Sequence, residues 1–235
     1  MKYSQLLSIN ADTKTTKGKK YGYLTGILYL APAKISGRNF CPNASKGCAE
    51  ACLYSAGRGK FNSVQNARIN KSRYFIEHKQ EFMTNLINSI EKLIRKAKRE
   101  NLIPVVRLNG TSDINWENVK INPYRLNIFE LFPAVQFYDY TKSQVRASLL
   151  NIPNYHLTFS RSEDNDSAVR KLNKFYPNKN IAVVFDKLPN TYLGRKVING
   201  DDSDLRFKDK DGVIVGLIAK GDAKKDTSNF VIKAV

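Results

Sequence analysis

Six short apolar runs punctuate this chain, and stretches of helical periodicity separate most of them. That alternation constrains the fold more than any other feature. Residues 21–31 (YGYLTGILYLA), 105–110 (VVRLNG), 135–140 (VQFYDY), 155–160 (YHLTFS), 180–186 (NIAVVFD) and 212–220 (GVIVGLIAK) read as buried strands. Residues 61–100 read as helical, because Phe82, Leu86, Ile90, Leu93, Ile94 and Ala97 recur at spacings of three and four. Residues 122–132, with Pro123 near the start, 143–150 and 166–176, with Asp166 as the expected N-cap, read as shorter helices. Residues 1–20 read as a polar lead-in and 187–211 as a long polar loop.

Alternating β and α segments imply parallel strands joined by right-handed crossovers. Six such units in 235 residues predict an α/β fold: a partial or irregular (β/α)6-type barrel with parallel strands in one domain, residues 1–235. An open doubly wound sheet is the alternative. No apolar run approaches the roughly 20 residues that span a bilayer, and the first 20 residues lack a signal-peptide pattern. The expectation is a soluble, cytoplasmic protein without a membrane partner.

All three cysteines fall in one stretch, CPNASKGCAEAC, as Cys41, Cys48 and Cys52. The expected loop follows the first strand. If Ala49–Ala51 forms a helical turn, Cys48 and Cys52 share one face at i and i+4. Three readings compete. Structural zinc takes four ligands, so it needs His78 or His156, the only histidines. Three inert buried thiols would suit an apolar setting, but Pro, Asn, Ser, Lys, Gly and Glu surround these. A [4Fe–4S] cluster held by three cysteines leaves one iron open to a small molecule, and the residues favour that reading.

Other chemistry-capable side chains stand at the expected strand ends. Asn109 and Asp113 follow the second strand, Asp139 and Lys142 the third, and Arg161 the fourth. Parallel strands would bring them to the cysteine face as a polar ligand pocket. Arg107 lies inside an apolar strand and needs a buried partner, with Asp139 or Asp113 as candidates. Residues 199–212, dense in Asp, lack the calcium-loop spacing and read as a solvated turn. No catalytic residue is identified.

A three-cysteine loop after the first strand of a partial barrel resembles the layout of radical S-adenosylmethionine enzymes. Their spacing is C-x3-C-x2-C where this chain has C-x6-C-x3-C, and RLNGTSD stands where they carry Gly-Gly-Glu. The resemblance implies S-adenosylmethionine as a ligand of the open iron. A second resemblance runs through nearly the whole chain. YGYLTGILYLAP, CPNASKGCAEACLYSAGRG, RLNGTSDINWE, FYDYTK, HLTFSRSEDN and NGDDSDLRF are similar to the gene product 88-like family of bacteriophage proteins. It implies a phage origin, hence a host-cell cytoplasm, and the cysteine motif, but almost no activity.

Two function classes follow. In one, the chain is a redox enzyme of radical S-adenosylmethionine type. In the other, it is a non-enzymatic, metal-stapled basic protein, with iron–sulfur or zinc, that binds nucleic acid or a host protein. The charge bears on the second class: 39 Lys and Arg against 21 Asp and Glu give a net charge of +18. Such a surplus attracts polyanions, so weak, salt-sensitive binding to nucleic acid is expected.

Overall fold

The computed structural model describes residues 5–234 except Asn122 and Tyr124. In chain order its elements are β1 (Leu7–Ile9), α1 (Thr13–Lys17), β2 (Tyr23–Leu28), α2 (Lys46–Glu50), α3 (Asn62–Glu77) and α4 (Lys79–Arg99). There follow β3 (Ile103–Arg107), α5 (Ile128–Leu131), β4 (Gln136–Thr141), α6 (Gln144–Leu149), β5 (Tyr155–Ser160) and α7 (Asp166–Phe175). The chain closes with β6 (Ile181–Phe185), β7 (Thr191–Tyr192), β8 (Arg195–Asn199) and β9 (Ile214–Ile218).

All strands join one nine-stranded mixed sheet in the order β1-β2-β3-β4-β5-β6-β9-β8-β7. The six runs expected as strands form its parallel centre, β2-β3-β4-β5-β6-β9. β8 adds in parallel to β9, while β1 and β7 pair antiparallel at the two ends. β1 and β7 are the outer strands, so the sheet is not closed.

Several expectations need correction. The lead-in is structured from residue 5 onward, its first four residues lying outside the described ones. Leu6 and Leu7 are buried, and β1 lies along β2 with Leu7 opposite Leu28; a three-residue strand is too short for a periodic signal. The cysteine loop therefore follows the second strand of the chain, although β2 is the first of the parallel series. The loop at 187–211 hides β7 and β8. Leu193 and Gly194, both at positive φ (51° and 75°), turn the hairpin between them. That is the backbone of a two-residue I′ turn, here without an Asn-Gly signal.

The helix expected at 122–132 shrinks to α5. Asn127 caps it in a reciprocal box with Glu130, and Ile121 bridges Leu126 just upstream; Asn122 and Tyr124 of that stretch lie outside the described residues. Residues 61–100 divide into α3 and α4 at His78, whose φ of −131° and ψ of 52° are not helical. Asp166 does not cap α7: Asn165 precedes the helix, and Asp166 pairs with Arg161 instead.

The largest core sets α3 and α4 on β2, β3 and β4. Phe82, Met83, Leu86, Ile90 and Leu93 of α4 meet Leu24, Leu28, Val106 and Phe137, with Trp116 and Phe75 alongside. Each such buried side chain contributes about 1.5–3 kcal/mol. Alternation along β3 sends Val105 to the other face, where Tyr138 and Leu205 cover it. A second core joins α6 and α7 to β5, β6 and β9 through Ala147, Val169, Leu172, Phe159, Val183 and Ile214.

Candidate functional site

Because β2, β3, β4 and β5 run parallel, the segments leaving their C-terminal ends share one edge of the sheet. The cysteines are in the first of these. Ser45 caps α2, its hydroxyl accepting from the Cys48 N–H at 3.1 Å. α2 ends at Glu50, so Cys52 is not one helical turn from Cys48 as expected. It is extended (φ −60°, ψ 133°) and heads the next 3-10 turn, where the Tyr54 N–H reaches its sulfur at 3.5 Å. Cys41 Sγ lies 3.8 Å from the Thr111 carbonyl, in the segment after β3.

All three are half-buried thiols. Burial pushes Cys41 up to about 12, opposed by a backbone hydrogen bond from Ala33 and reinforced by Cys52, Cys48 and Asp113. Burial likewise raises Cys48, against Lys142, and Cys52, against the Tyr54 N–H, Arg68, Lys14 and Lys142. The three sulfurs therefore lie within one another's field, among cations. Among the described residues, no three His, Cys, Asp or Glu side chains are grouped to hold a metal ion. Of the two histidines, His78 packs at a tilt against Tyr74 with ring centres 5.9 Å apart, and His156 has Lys179, Asp211 and Arg206 as its charged neighbours.

The expected pocket residues converge, as parts of a dense buried network. Asp113 accepts from the Lys142 N–H at 2.9 Å and the Thr141 hydroxyl at 3.2 Å, and pairs with Arg146 at 2.9 Å. Lys142 Nζ donates to Ser160 Oγ at 3.0 Å and the Arg161 carbonyl at 3.2 Å, and its positive charge acts on Cys48. Asp139, fully buried, accepts from the Asn109 N–H at 2.7 Å and the Tyr155 hydroxyl at 3.0 Å. Burial lifts Asp139 to about 7 despite Arg107 and these donors. The Asn109 side chain braces its own loop, its oxygen accepting from Ser112, the Ile114 N–H and Trp116 Nε1. Arg161 ties down the C-terminal segment, donating to the Asn229 and Phe230 carbonyls, and pairs with Asp166.

The principal partner of Arg107 is neither Asp113 nor Asp139. Arg107 Nη1 meets both oxygens of Asp204, at 3.0 and 3.2 Å, while Asp139 stands 4.0 Å from its Nε. Burial alone would raise Asp204, yet Arg107, Lys14 and Arg206 hold it below the usual carboxylate range. Residues 199–212 are thus not wholly a solvated turn, since Asp204, Leu205 and Arg206 are buried. Arg206 is 1% exposed, beside Asp209 at 3.2 Å.

The chain belongs to the gene product 88 family. The family model matches residues 4–234. No curated protein matches the chain, and no solved structure does.

Within this family member, sequence reasoning missed four residues that shape the edge. Arg146 forks onto Glu117 (2.6 and 2.9 Å) and reaches Asp113; on a short helix it resembles a surface cation. Glu163 accepts from the Ser45 hydroxyl at 2.7 Å and the Gly47 N–H at 2.6 Å. Arg68 lies over the rings of Tyr29 and Tyr54. Lys14 comes from the supposed lead-in into the field of Cys52. Only Glu163 carried a signal, since it lies two residues beyond the strand-end pair Ser160 and Arg161.

Proposed function

We propose that this gene product 88 family protein is a phage iron–sulfur protein that holds one [4Fe–4S] cluster through Cys41, Cys48 and Cys52. The observation that carries the reading is the placing of all three thiols in one segment at the sheet edge, with the positive charge of Lys142 acting on Cys48 and that of Arg68, Lys14 and Lys142 on Cys52. Three thiolates and their cluster are anionic, and three cations offset that charge. The donor set is three cysteines within one stretch, and a cluster with an open iron takes three protein thiolates where structural zinc takes four ligands.

A [4Fe–4S] cluster with three cysteine ligands offers one open iron to a small molecule and can pass single electrons. The chain's own residues do the rest. Glu163 fixes the turn that carries Cys48, Lys142 is held at the end of β5 with its charge acting on Cys48, and Asp113 and Arg146 hold the loop beside Cys41. The parallel run β2-β3-β4-β5-β6-β9, in sequential order, supports reading the open sheet as a partial barrel with its site at the strand C-terminal ends. A redox enzyme of radical S-adenosylmethionine type is the corresponding activity, in the reducing cytoplasm of the host. The test is anaerobic reconstitution followed by S-adenosylmethionine. A changed spin signal of the reduced cluster supports the enzyme reading, and an unaltered signal with no cleavage of the added molecule rejects it.

A second reading rests on a different observation. Lys92, Arg95, Lys96, Lys98 and Arg99 of α4 line a surface hollow with Gln5 and Ile9. This cationic strip suits weak binding to a nucleic-acid backbone. Affinity for duplex DNA that falls steeply with salt, and falls further in Lys92→Ala/Arg95→Ala, supports it; salt-independent or unchanged binding refutes it.

A further inference from the structure

Arg68 reaches in from α3 to the neighbourhood of Cys52. It is 8% exposed, and its guanidinium carbon stands 4.8 Å from the Tyr29 ring centre and 5.6 Å from that of Tyr54. Its Nε and Nη1 are buried and make no hydrogen bond. A buried arginine normally pairs its donors with carboxylates or carbonyls, so these orphaned N–H groups point to an acceptor from outside the chain. Asp12, whose charge acts on Arg68, is already engaged: it accepts from the Tyr29 hydroxyl at 2.8 Å and the Thr15 N–H at 3.0 Å.

Further positive charge surrounds the same place. Lys14 and Lys142 act on Cys52 together with Arg68. Lys14 also lies near the Arg107–Asp204 pair, whose carboxylate Arg107 occupies with two contacts. Lys71, three residues beyond Arg68 on the same helix, adds to its field. Counter-charge from the chain is therefore either committed elsewhere or missing beside Arg68.

We propose that the unpartnered donors of Arg68, with Lys14 adding positive charge, form an oxyanion site beside Cys52 that binds the carboxylate or phosphate group of a small-molecule ligand. The unpartnered Nε and Nη1 each have an N–H to give to an oxygen of such a group, and the charge of Lys14 acts on the same place. Stacking on Tyr29 and Tyr54 holds the guanidinium in place before the ligand arrives. The site is a property of these side chains and stands whether or not the cysteines carry a cluster.

Calorimetric titration of the full chain with inorganic phosphate, and separately with succinate, at fixed ionic strength in sodium chloride, tests it. Iron is measured in the same samples, so failure of the cluster reading registers separately. Saturable binding of one probe is expected, weakened at least roughly tenfold in both Arg68→Gln and Lys14→Gln. Saturation by phosphate assigns a phosphoryl ligand, and saturation by succinate a carboxylate. Lys14 is only half-buried, so Lys14→Gln decides the matter if Arg68→Gln fails to fold. Binding of neither probe beyond chloride, or equal binding in wild type and Lys14→Gln, overturns the proposal.

Discussion

Glu163 accepts a hydrogen bond from the Gly47 N–H at 2.6 Å, so the segment after β5 clamps the turn that presents Cys48. The other carboxylate oxygen takes the Ser45 hydroxyl, which itself caps the Cys48 N–H. A Cβ at Gly47 would lie 2.8 Å from Glu163 Oε1 and collide with Ser228 Oγ, so the close approach requires glycine. Glu163→Ala leaves two donors without their acceptor and is expected to cost roughly 1–3 kcal/mol. Thermal unfolding measures the loss, and iron per chain should fall with it. Unchanged stability would show that the clamp is not needed.

The Arg107–Asp204 pair joins β3 to the segment that covers the opposite face of the sheet. Removing one member strands a buried charge, so Arg107→Met or Asp204→Leu should each destabilise by roughly 3–5 kcal/mol. Arg107→Met/Asp204→Leu should cost less than the sum of the singles, because neither charge is left alone. Urea unfolding of the four proteins closes the cycle; strict additivity would contradict the pairing.

Two buried groups set opposing pH dependences. Asp139 is raised by burial from 3.8 to about 7, so its contribution is fully present below about pH 4 and lost as pH rises through 7. His156, with a buried Nε2 that makes no hydrogen bond, is lowered by burial from 6.5 to about 4. Its contribution is present above about pH 6.5 and lost as pH falls through 4. Asp139→Asn should remove the loss on the alkaline side, and His156→Gln the loss on the acid side. Unfolding midpoints between pH 4 and 7 measure both, and curves parallel to wild type would refute the assignments.

Metal-free chain should resist alkylation near neutral pH, because burial keeps all three thiols protonated, Cys41 most of all at about 12. The thiolate is the reactive form. Iodoacetamide labelling followed by mass spectrometry should find Cys41 slowest, with rates that climb as pH rises. Metal uptake should release protons for the same reason. Rapid labelling of Cys41 at pH 7 would contradict the burial of its thiol.

What the sequence disclosed follows its physics. The six central strands were legible because both faces of each are covered, which leaves continuous apolar runs. β1 and β8 were not: one is three residues long, and the other, RKVIN, gains its place from parallel pairing with β9. Arg107 stood out as a charge within an apolar run, but its partner lay 97 residues away in an Asp-rich stretch that looked solvated. Arg146 and Arg68 were silent because a buried arginine on a polar helix has the same local pattern as an exposed one. The break at His78 was equally hidden, since apolar spacing continues across it.

The central claim is that Cys41, Cys48 and Cys52 hold one iron–sulfur cluster. Anaerobic purification of the full chain, with an absorption spectrum and iron, sulfide and zinc analysis, tests it most directly. The account predicts a brown protein with a broad band near about 400 nm, about four irons and about four sulfides per chain, all lost in Cys48→Ser. A colourless protein with one zinc, or with no metal at all, would contradict it.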